Sequence, residues 1–254
     1  MPRRVALLHT AIDEGDGPVV ILVHGIASSS ITFHELVPII GAKHRVIALD
    51  LLGFGQSPAP EHAQYTIEDH VRSLHRTIRS LRLRAPYTLV GHSLGALISS
   101  RYAADFPKEV AKLVLVSPPI YLAPASLGDP RDRAAMGLYL KAYEYLRENK
   151  TFTMRAARGL DRLSPIRHVL EVSERNWIPF VNSLRYAIES QTTVSDIARV
   201  RVSVDIVYGA LDPFLMPASM KIVERMRHVT IARVDANDHV IRRRLARAVA
   251  TAIG

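Results

Sequence analysis

Short apolar runs recur along the chain, and each ends at Gly, Pro, Asp or Ser before a stretch with helical spacing begins. Continuous apolar strands that alternate with helices are typical of a parallel sheet covered by helices on both faces. Six runs have this pattern, the last more weakly than the others: residues 19–23, 45–49, 87–90, 112–116, 205–208 and 229–234. Residues 67–81 and 94–106 have the apolar spacing of helices. We therefore predict the α/β class, with a mostly parallel central sheet flanked by helices.

Residues 118–199 contain no strand pattern. Their apolar residues recur at helical spacing instead, in two groups: Met136, Tyr139, Leu140, Tyr143 and Leu146, then Trp177, Val181, Leu184 and Ile188. A structureless loop of this length is implausible inside a compact domain. We expect a helical cap (lid) inserted at residues 118–199, over the strand ends where open α/β sheets bind their ligands. The core domain is then formed by residues 1–117 and 200–254.

The composition excludes several classes of protein. Of the 254 residues, 48% are hydrophobic and 22% are charged, which provides for one sizeable core and excludes disorder as the main state. The apolar run at residues 5–8 is too short for a signal peptide and is predicted to be a strand. The absence of cysteine excludes a thiolate nucleophile and a Cys-based metal site. We expect a cytoplasmic protein with no stable membrane association.

The net charge of +9 raises the question of nucleic-acid binding, because basic proteins often bind nucleic acids. Two arginine clusters, at residues 72–84 and 242–247, supply much of this charge. Neither cluster contains an aromatic residue that could stack on a base. We therefore predict solvated helix faces and no nucleic-acid partner.

The segment Gly91-His92-Ser93-Leu94-Gly95 has the form G-x-S-x-G and lies between a predicted strand and a predicted helix. In this position the motif forms a sharp turn that exposes the serine hydroxyl, and side chains in place of the two glycines would collide with the turn. The start of the following helix favours the negative charge that develops during nucleophilic attack. The motif therefore predicts Ser93 as a nucleophile.

A serine hydroxyl is a weak nucleophile and needs a base that is itself oriented by an acid. His239 follows the last predicted strand and can reach back to the strand ends. Asp212 lies just past an earlier strand, so the order Ser93, Asp212, His239 agrees with one of the common triad orders. Asp238 and Asp235 are alternatives for the acid. An Asp next to its own His usually points elsewhere, which favours Asp212.

The oxyanion formed during attack on a carbonyl needs two N–H donors. One expected donor is the backbone N–H of Leu94, which follows the nucleophile. The other is the backbone N–H of Ile26, in the loop after an early strand, where Gly25 allows a close approach. Side chains that could line a substrate pocket are His24, His92, Met136, Tyr139, Tyr143, Trp177, Phe180, Phe214 and Val240. At helical spacing such residues can equally be core packing.

The motifs, taken in order, resemble those of the α/β-hydrolase fold superfamily, in its branch of small capped serine esterases. The matching segments are His24-Gly25, residues 50–57, Gly91–Gly95, residues 209–212 and Asp238-His239. The resemblance extends over residues 5–254. It implies an acyl-enzyme mechanism, a cap over the site, and neither a cofactor nor a metal.

Departures from the superfamily's patterns narrow the range of reactions expected for this chain. Relatives that act on haloalkanes and epoxides have an aspartate where this chain has Ser93. Val240 and Ile241 follow His239, whereas C–C bond hydrolases often have a tryptophan there. Ile26 and Phe33 occupy the region where haloperoxidase-like members often have a tryptophan. The HGGG loop of one lipase class is also absent.

These features predict a serine hydrolase that cleaves small-molecule carboxylic esters of small to medium acyl chains. The alternatives are a thioester, lactone or C–C bond hydrolase, or a small-molecule receptor of the same fold with slow turnover. Whether the protein is a monomer or a homodimer stays open.

Overall fold

The computed structural model describes residues 5–84, 86–122, 126–163, 166 and 169–254. The strands are β1 (Thr10–Glu14), β2 (Val19–Val23), β3 (Arg45–Leu49), β4 (Tyr87–His92), β5 (Val110–Val116), β6 (Val204–Gly209) and β7 (Val229–Val234). The α-helices are α1 (Val37–Ile40), α2 (Ile67–Ser80), α3 (Leu94–Asp105), α4 (Pro130–Glu148), α5 (Lys150–Leu163), α6 (Trp177–Ser183), α7 (Thr193–Arg199), α8 (Pro217–Glu224) and α9 (Arg243–Ile253). A 3₁₀ helix spans Ser30–Phe33, and a π-helical turn at Leu184–Ile188 follows α6.

The strands form one seven-stranded sheet in the order β1-β3-β2-β4-β5-β6-β7. All neighbouring strands are parallel except β1, which pairs antiparallel with β3 at the edge. The prediction of an α/β protein with a mostly parallel sheet is therefore confirmed. The predicted strand at residues 5–8 was wrong, since the first strand begins at Thr10. Strand β1 is partly exposed and contains Asp13 and Glu14, so it lacks the apolar run of a buried strand.

Two apolar clusters cover the two faces of the sheet, because alternate residues of each strand point to opposite sides. On β2, Ile21 and Val23 join one cluster, which also contains buried residues of α2, α3 and α8. Val20 and Leu22 join the other cluster, with residues of α1 and α9. This arrangement directs the carboxyl ends of β2, β4, β6 and β7, with the loops that follow them, to a common edge.

Helices α4–α7 occupy the interval between β5 and β6, as the spacing of apolar residues predicts. We call residues 118–199 the helical insertion; residues 123–125, 164, 165, 167 and 168 within it lie outside the described part of the chain. Its buried residues, among them Met136 and Tyr143, belong to the same cluster as one face of the sheet. Movement of the insertion as a lid stays a prediction.

His70 on α2 is a buried link between the core and the insertion. Its Nε2 lies 3.1 Å from the Ser183 hydroxyl of α6, while Nδ1 has no hydrogen-bond partner among the described residues. Burial lowers the pKa of His70 to about 4. The ring is therefore neutral at pH 7, where it can make this contact without burying a charge.

Acidification should weaken the fold through His70. In the unfolded chain a histidine takes up its proton near pH 6.5, whereas His70 in the folded chain stays neutral down to about pH 4. Between these values the unfolded state binds more protons, so the free energy of unfolding should fall by about 1.4 kcal/mol per pH unit on acidification. Urea titrations at several pH values in this range measure the free energy of unfolding. Plotted against pH, this free energy should have a slope that is smaller by that amount in His70→Gln than in the wild type. The exposed His62→Gln control should keep the wild-type slope, and an equal slope in all three proteins would contradict the prediction.

Candidate active site

Ser93 lies at the sharp turn between β4 and α3. Its backbone has φ 53° and ψ −122°, a conformation that is strained for a residue with a side chain. The Ser93 N–H donates to the Val116 carbonyl at 3.0 Å and ties the turn to the neighbouring strand. Its side chain makes no helix-capping hydrogen bond. The G-x-S-x-G motif therefore forms the strand–turn–helix structure that the sequence predicts.

The two glycines of this motif are required by close backbone contacts. A Cβ added at Gly91 would overlap the carbonyl oxygen of Gly95, and a Cβ at Gly95 would overlap the carbonyl oxygen of Val23. In both cases the obstacle is backbone, which cannot rotate away as a flexible side chain can. The turn can pack against β2 only because these positions lack side chains.

We expect Gly95→Ala to lower the free energy of unfolding by about 3 kcal/mol, the upper part of the usual range for an overpacked core. The Ala Cβ would have to displace β2 or the turn itself. Gly137→Ala on α4 is the matched control, because nothing lies within 4 Å of a Cβ added there. That change should stabilise the helix by about 0.5–1 kcal/mol. Chemical denaturation of both variants tests the difference, and equal stabilities would argue against the clash.

Asp212 and His239, which the sequence analysis expects to be an acid–base pair, are in contact in the structure. His239 Nδ1 lies 2.8 Å from Asp212 Oδ2, and the other oxygen, Oδ1, accepts the Phe214 N–H at 3.0 Å. Burial opposes ionisation of Asp212, but the hydrogen bonds from His239 and Phe214 prevail and hold its pKa below the usual value. An ionised carboxylate accepts the Nδ1–H of the ring, which leaves Nε2 with the lone pair of a base.

The two alternative acids lie in other surroundings. Asp238 accepts the Val240 N–H at 3.1 Å and pairs with Arg242 at 2.8 Å, with a partly exposed carboxylate. The side chain of Asp235 is 91% exposed. Of the three candidates, Asp212 has the buried carboxylate that contacts the His239 ring.

His92, the residue before Ser93, stabilises the loop that contains His239. Its Nε2 lies 2.9 Å from the His239 carbonyl oxygen and donates to it, and the two ring centroids are 4.9 Å apart. Burial, reinforced by the nearby His239, lowers the pKa of His92 to about 3, so the ring is neutral at pH 7. The sequence analysis placed His92 in a pocket, whereas in the structure its buried ring contacts the backbone of His239.

Gly25 brings the loop after β2 against Ser93. A Cβ added at Gly25 would lie 2.8 Å from Ser93 Cβ and 3.3 Å from Ser93 Oγ. The Leu94 N–H is the first of α3 and has no acceptor within its helix. The Ile26 N–H likewise has no hydrogen-bond acceptor in the described part of the chain. Among the described residues, neither expected oxyanion donor therefore has a backbone acceptor. Leu94 directly follows Ser93, and Ile26 follows Gly25, which lies against Ser93.

Residue Ala27 connects this loop to the helical insertion. Its backbone has φ 52°, and its carbonyl oxygen accepts the Glu171 N–H at 2.7 Å. The segment around Glu171 is held by Asn176, which accepts the Ser173 N–H and donates to the Glu171 carbonyl, both at 2.8 Å. The sequence analysis missed this contact, because no local pattern marks it.

His24 has a structural role in the same loop. One ring nitrogen, Nδ1, donates to the Gly25 carbonyl at 2.7 Å, and Nε2 accepts the Leu51 N–H at 2.8 Å. The side chain is fully buried, and burial lowers its pKa despite the nearby Asp50 carboxylate. With both nitrogens engaged by backbone, His24 stabilises the loop, and we leave it out of the proposed pocket.

Aromatic side chains surround the acid–base pair on the insertion side. The Phe214 ring is roughly perpendicular to that of His239, with centroids 4.8 Å apart. The Tyr139 hydroxyl donates to the Pro213 carbonyl, which joins α4 to the loop of Asp212. Tyr121, which the sequence analysis missed, stacks on Tyr139 and shares a 2.7 Å hydrogen bond with Tyr143. No periodic pattern includes Tyr121, since it lies two residues after the consecutive prolines Pro118 and Pro119.

The remaining pocket candidates are less directly connected to the pair. Met136 is buried, and Val240 is partly buried next to His239. The rings of Trp177 and Phe180 pack together with their centroids 5.8 Å apart, and the Lys150 ammonium group lies over the Trp177 ring. Their assignment to a pocket stays a prediction. A separate cavity of about 310 Å³ lies beside the start of α2 and is not lined by Ser93, Asp212 or His239.

Comparison with known proteins places this site in a family. Residues 18–214 match the model of the family described as "alpha/beta hydrolase fold". The chain belongs to the α/β-hydrolase family.

Solved structures agree with this α/β-hydrolase assignment. E-2-(acetamidomethylene)succinate hydrolase aligns with a TM-score of 0.71 and 23% identity, over 95% of this chain and 91% of that chain. The enol-lactonase from Burkholderia xenovorans LB400 aligns with a TM-score of 0.68 and 20% identity, over 96% of this chain and 93% of that chain. At such identities, the likeness shows the fold alone.

Curated relatives match a shorter part of this α/β-hydrolase. The probable lysophospholipase BODYGUARD 3 of Arabidopsis thaliana is 35% identical over 116 residues, which are 44% of this chain and 23% of that protein. BODYGUARD 4 of the same plant, also named a probable lysophospholipase, is 38% identical over 104 residues, 40% of this chain and 25% of its own. The chain thus spans about a quarter of the length of these relatives. No helix in the described ranges combines the length and apolar character needed to cross a bilayer.

Proposed function

We propose that this α/β-hydrolase cleaves carboxylic esters of small to medium acyl chains through Ser93, His239 and Asp212. The observation that carries the proposal is the 2.8 Å contact between His239 Nδ1 and the buried Asp212 carboxylate. This contact orients the His239 imidazole so that Nε2 can act as a base, on the loop that His92 connects to Ser93. A serine held in a strained turn beside such a pair is the arrangement that acyl transfer requires.

In the first half-reaction, His239 Nε2 takes the hydroxyl proton of Ser93 as Oγ attacks the ester carbonyl. The N–H groups of Leu94 and Ile26 donate to the resulting oxyanion, and each such donor typically contributes about 3–4 kcal/mol to the transition state. His239 then gives the proton to the departing alcohol. Ser93 is left carrying the acyl group as an ester.

In the second half-reaction, His239 Nε2 takes a proton from water, and the hydroxide equivalent attacks the acyl carbonyl. Collapse of the intermediate breaks the bond to Ser93 Oγ, which recovers its proton from His239 as the carboxylic acid leaves. Asp212 stays ionised throughout, and its lowered pKa supports this role.

The surroundings of the pair support an acyl substrate. Phe214 and Tyr139 provide aromatic surface beside His239 and Asp212, and burial raises the pKa of Tyr143 behind them to about 12. These phenols stay uncharged and add no negative charge where an oxyanion forms. The relatives named probable lysophospholipases also favour ester cleavage.

The experiment is steady-state hydrolysis of p-nitrophenyl esters from acetate to palmitate. We expect sustained turnover with a maximum at a short or medium chain length. A thioester and a lactone of matched acyl chain, assayed in parallel, test the alternative bonds. A single stoichiometric burst, or no release from any ester, would contradict the proposal and favour a receptor of this fold.

A further inference from the structure

Exposed apolar side chains are concentrated on the helical insertion. Ten large apolar side chains are exposed in the described part of the chain, and six of them lie in this segment, which is about a third of the sequence: Leu138, Tyr145, Phe152, Leu160, Ile178 and Tyr186. Single exposed apolar residues are normal, whereas a contiguous group marks an interaction surface. The distribution therefore points to a function of the outer face of the insertion.

Four of these residues lie along α4 and α5, and we call them the outer stripe: Leu138, Tyr145, Phe152 and Leu160. Leu138 and Tyr145 are seven residues apart on α4, and such a spacing places them on one face of a helix. The Tyr145 and Phe152 rings meet edge to face, with centroids 5.3 Å apart, and so join α4 to α5. Leu160 is 60% exposed and lies about two turns further along α5, rotated by about 80° around the helix axis from Phe152.

A row of arginines lies on α5, on the other side of Phe152 from Leu160. Arg155, Arg158 and Arg162 recur at steps of three and four and are all exposed. None of them forms an ion pair with a carboxylate in the ranges that the structure describes. The helix has four basic residues and one acidic residue, Asp161. We call the three arginines the arginine row.

The occupant of this surface must match both features. A second copy of the chain, docked symmetrically, would bring one arginine row towards another, and the like charges would repel. An anionic lipid surface instead neutralises the arginines and receives the apolar side chains, as it does for amphipathic helices at membrane interfaces. We propose that the outer stripe and the arginine row dock α4 and α5 reversibly on a membrane surface that contains anionic phospholipid.

The expected strength follows from the two contributions. Each basic residue close to an anionic membrane contributes about fivefold to binding. Three arginines should therefore strengthen membrane binding by about a hundredfold at low salt. The gain is smaller where the side chains stay distant from the lipid. Salt screens this part of the binding, whereas burial of Phe152 and Leu160 is much less sensitive to salt.

The experiment is co-sedimentation of the whole chain with phosphatidylcholine vesicles, with and without phosphatidylglycerol. We expect binding only to the anionic vesicles, weakened by salt. The triple change Arg155→Gln, Arg158→Gln and Arg162→Gln should lower binding at least about tenfold. The double change Phe152→Ser and Leu160→Ser should lower it by a similar factor.

The matched control is Arg243→Gln, Arg244→Gln and Arg247→Gln on α9. It removes the same charge from exposed positions on a helix that packs against the opposite face of the sheet. This variant should bind vesicles within about twofold of the wild type if only the local surface matters. An equal loss in this control would overturn the proposal in favour of adsorption through net charge.

Two other results would also overturn the proposal: wild-type protein that binds no vesicles, and unchanged binding after loss of Phe152 and Leu160. All substituted side chains are exposed, so circular dichroism and melting curves should match the wild type. Because the readout is binding, failure here leaves the ester hydrolysis proposed above untouched, and inactivity towards esters would not affect vesicle binding.

Discussion

Ser93→Ala should lower kcat for p-nitrophenyl ester hydrolysis by about 10⁴-fold or more, because no other group can form the acyl-enzyme. KM should change little, since the oxyanion donors and the aromatic surface around His239 remain. The stability of the variant should also be close to the wild type, because the Ser93 side chain makes no capping hydrogen bond. Steady-state kinetics and a melting curve measure both quantities.

The matched control for this variant is Ser99→Ala on α3. Ser99 is fully buried, and its hydroxyl has no hydrogen-bond partner in the part of the chain that the structure describes, so its removal should leave kcat within about twofold. Turnover by Ser93→Ala near the wild-type rate would show that another residue is the nucleophile. An equally large loss in Ser99→Ala would show that the assay reports disturbance of α3 and not the chemistry.

Asp212→Asn should lower kcat by about 10⁴-fold, the effect of the same change in a serine protease triad. An amide facing His239 Nδ1 can donate to it, which favours the tautomer with the proton on Nε2. The ring then lacks a lone pair where the Ser93 hydroxyl must deliver its proton. Single-turnover kinetics with p-nitrophenyl acetate would locate the loss in acylation.

Asp238→Asn tests the competing assignment with the same chemical change one residue before His239. The Asp238 carboxylate is partly exposed and pairs with Arg242, so the change should lower kcat by no more than a few-fold. A greater loss in Asp238→Asn than in Asp212→Asn would transfer the acid role to Asp238.

The apolar runs of the sequence predicted the bounds of three strands, β2, β3 and β7, without error. β2 and β3 lie inside the sheet and are buried over most of their length, so their full length shows as apolar sequence. The bounds of β7 also agree, although β7 is a partly exposed edge strand and burial is not the reason there. β1 was missed, since an edge strand needs apolar residues on few positions and here has two acids. Propensity alone could not separate such a segment from a loop.

The local part of the site could be predicted, and the tertiary part could not. Ser93 lies in a five-residue motif whose glycines are required by close backbone contacts at the turn. The motif alone therefore predicts the position of the serine. Asp212 and His239 follow from the rule that parallel strand ends meet at one edge. The roles of His24 and His92 depend on which backbone group each ring nitrogen meets, and those groups come from distant segments. No spacing within the chain encodes that information.

The hydrogen bond from Glu171 to Ala27 has a consequence for protein engineering. Because Ala27 adjoins Ile26, a residue of the insertion and the proposed oxyanion loop share one backbone junction. A chimera that takes its insertion from another family member would replace this junction together with the intended binding surface. Residues 171–176 should therefore be exchanged as a unit with residues 25–27, so that both halves of the junction come from one parent.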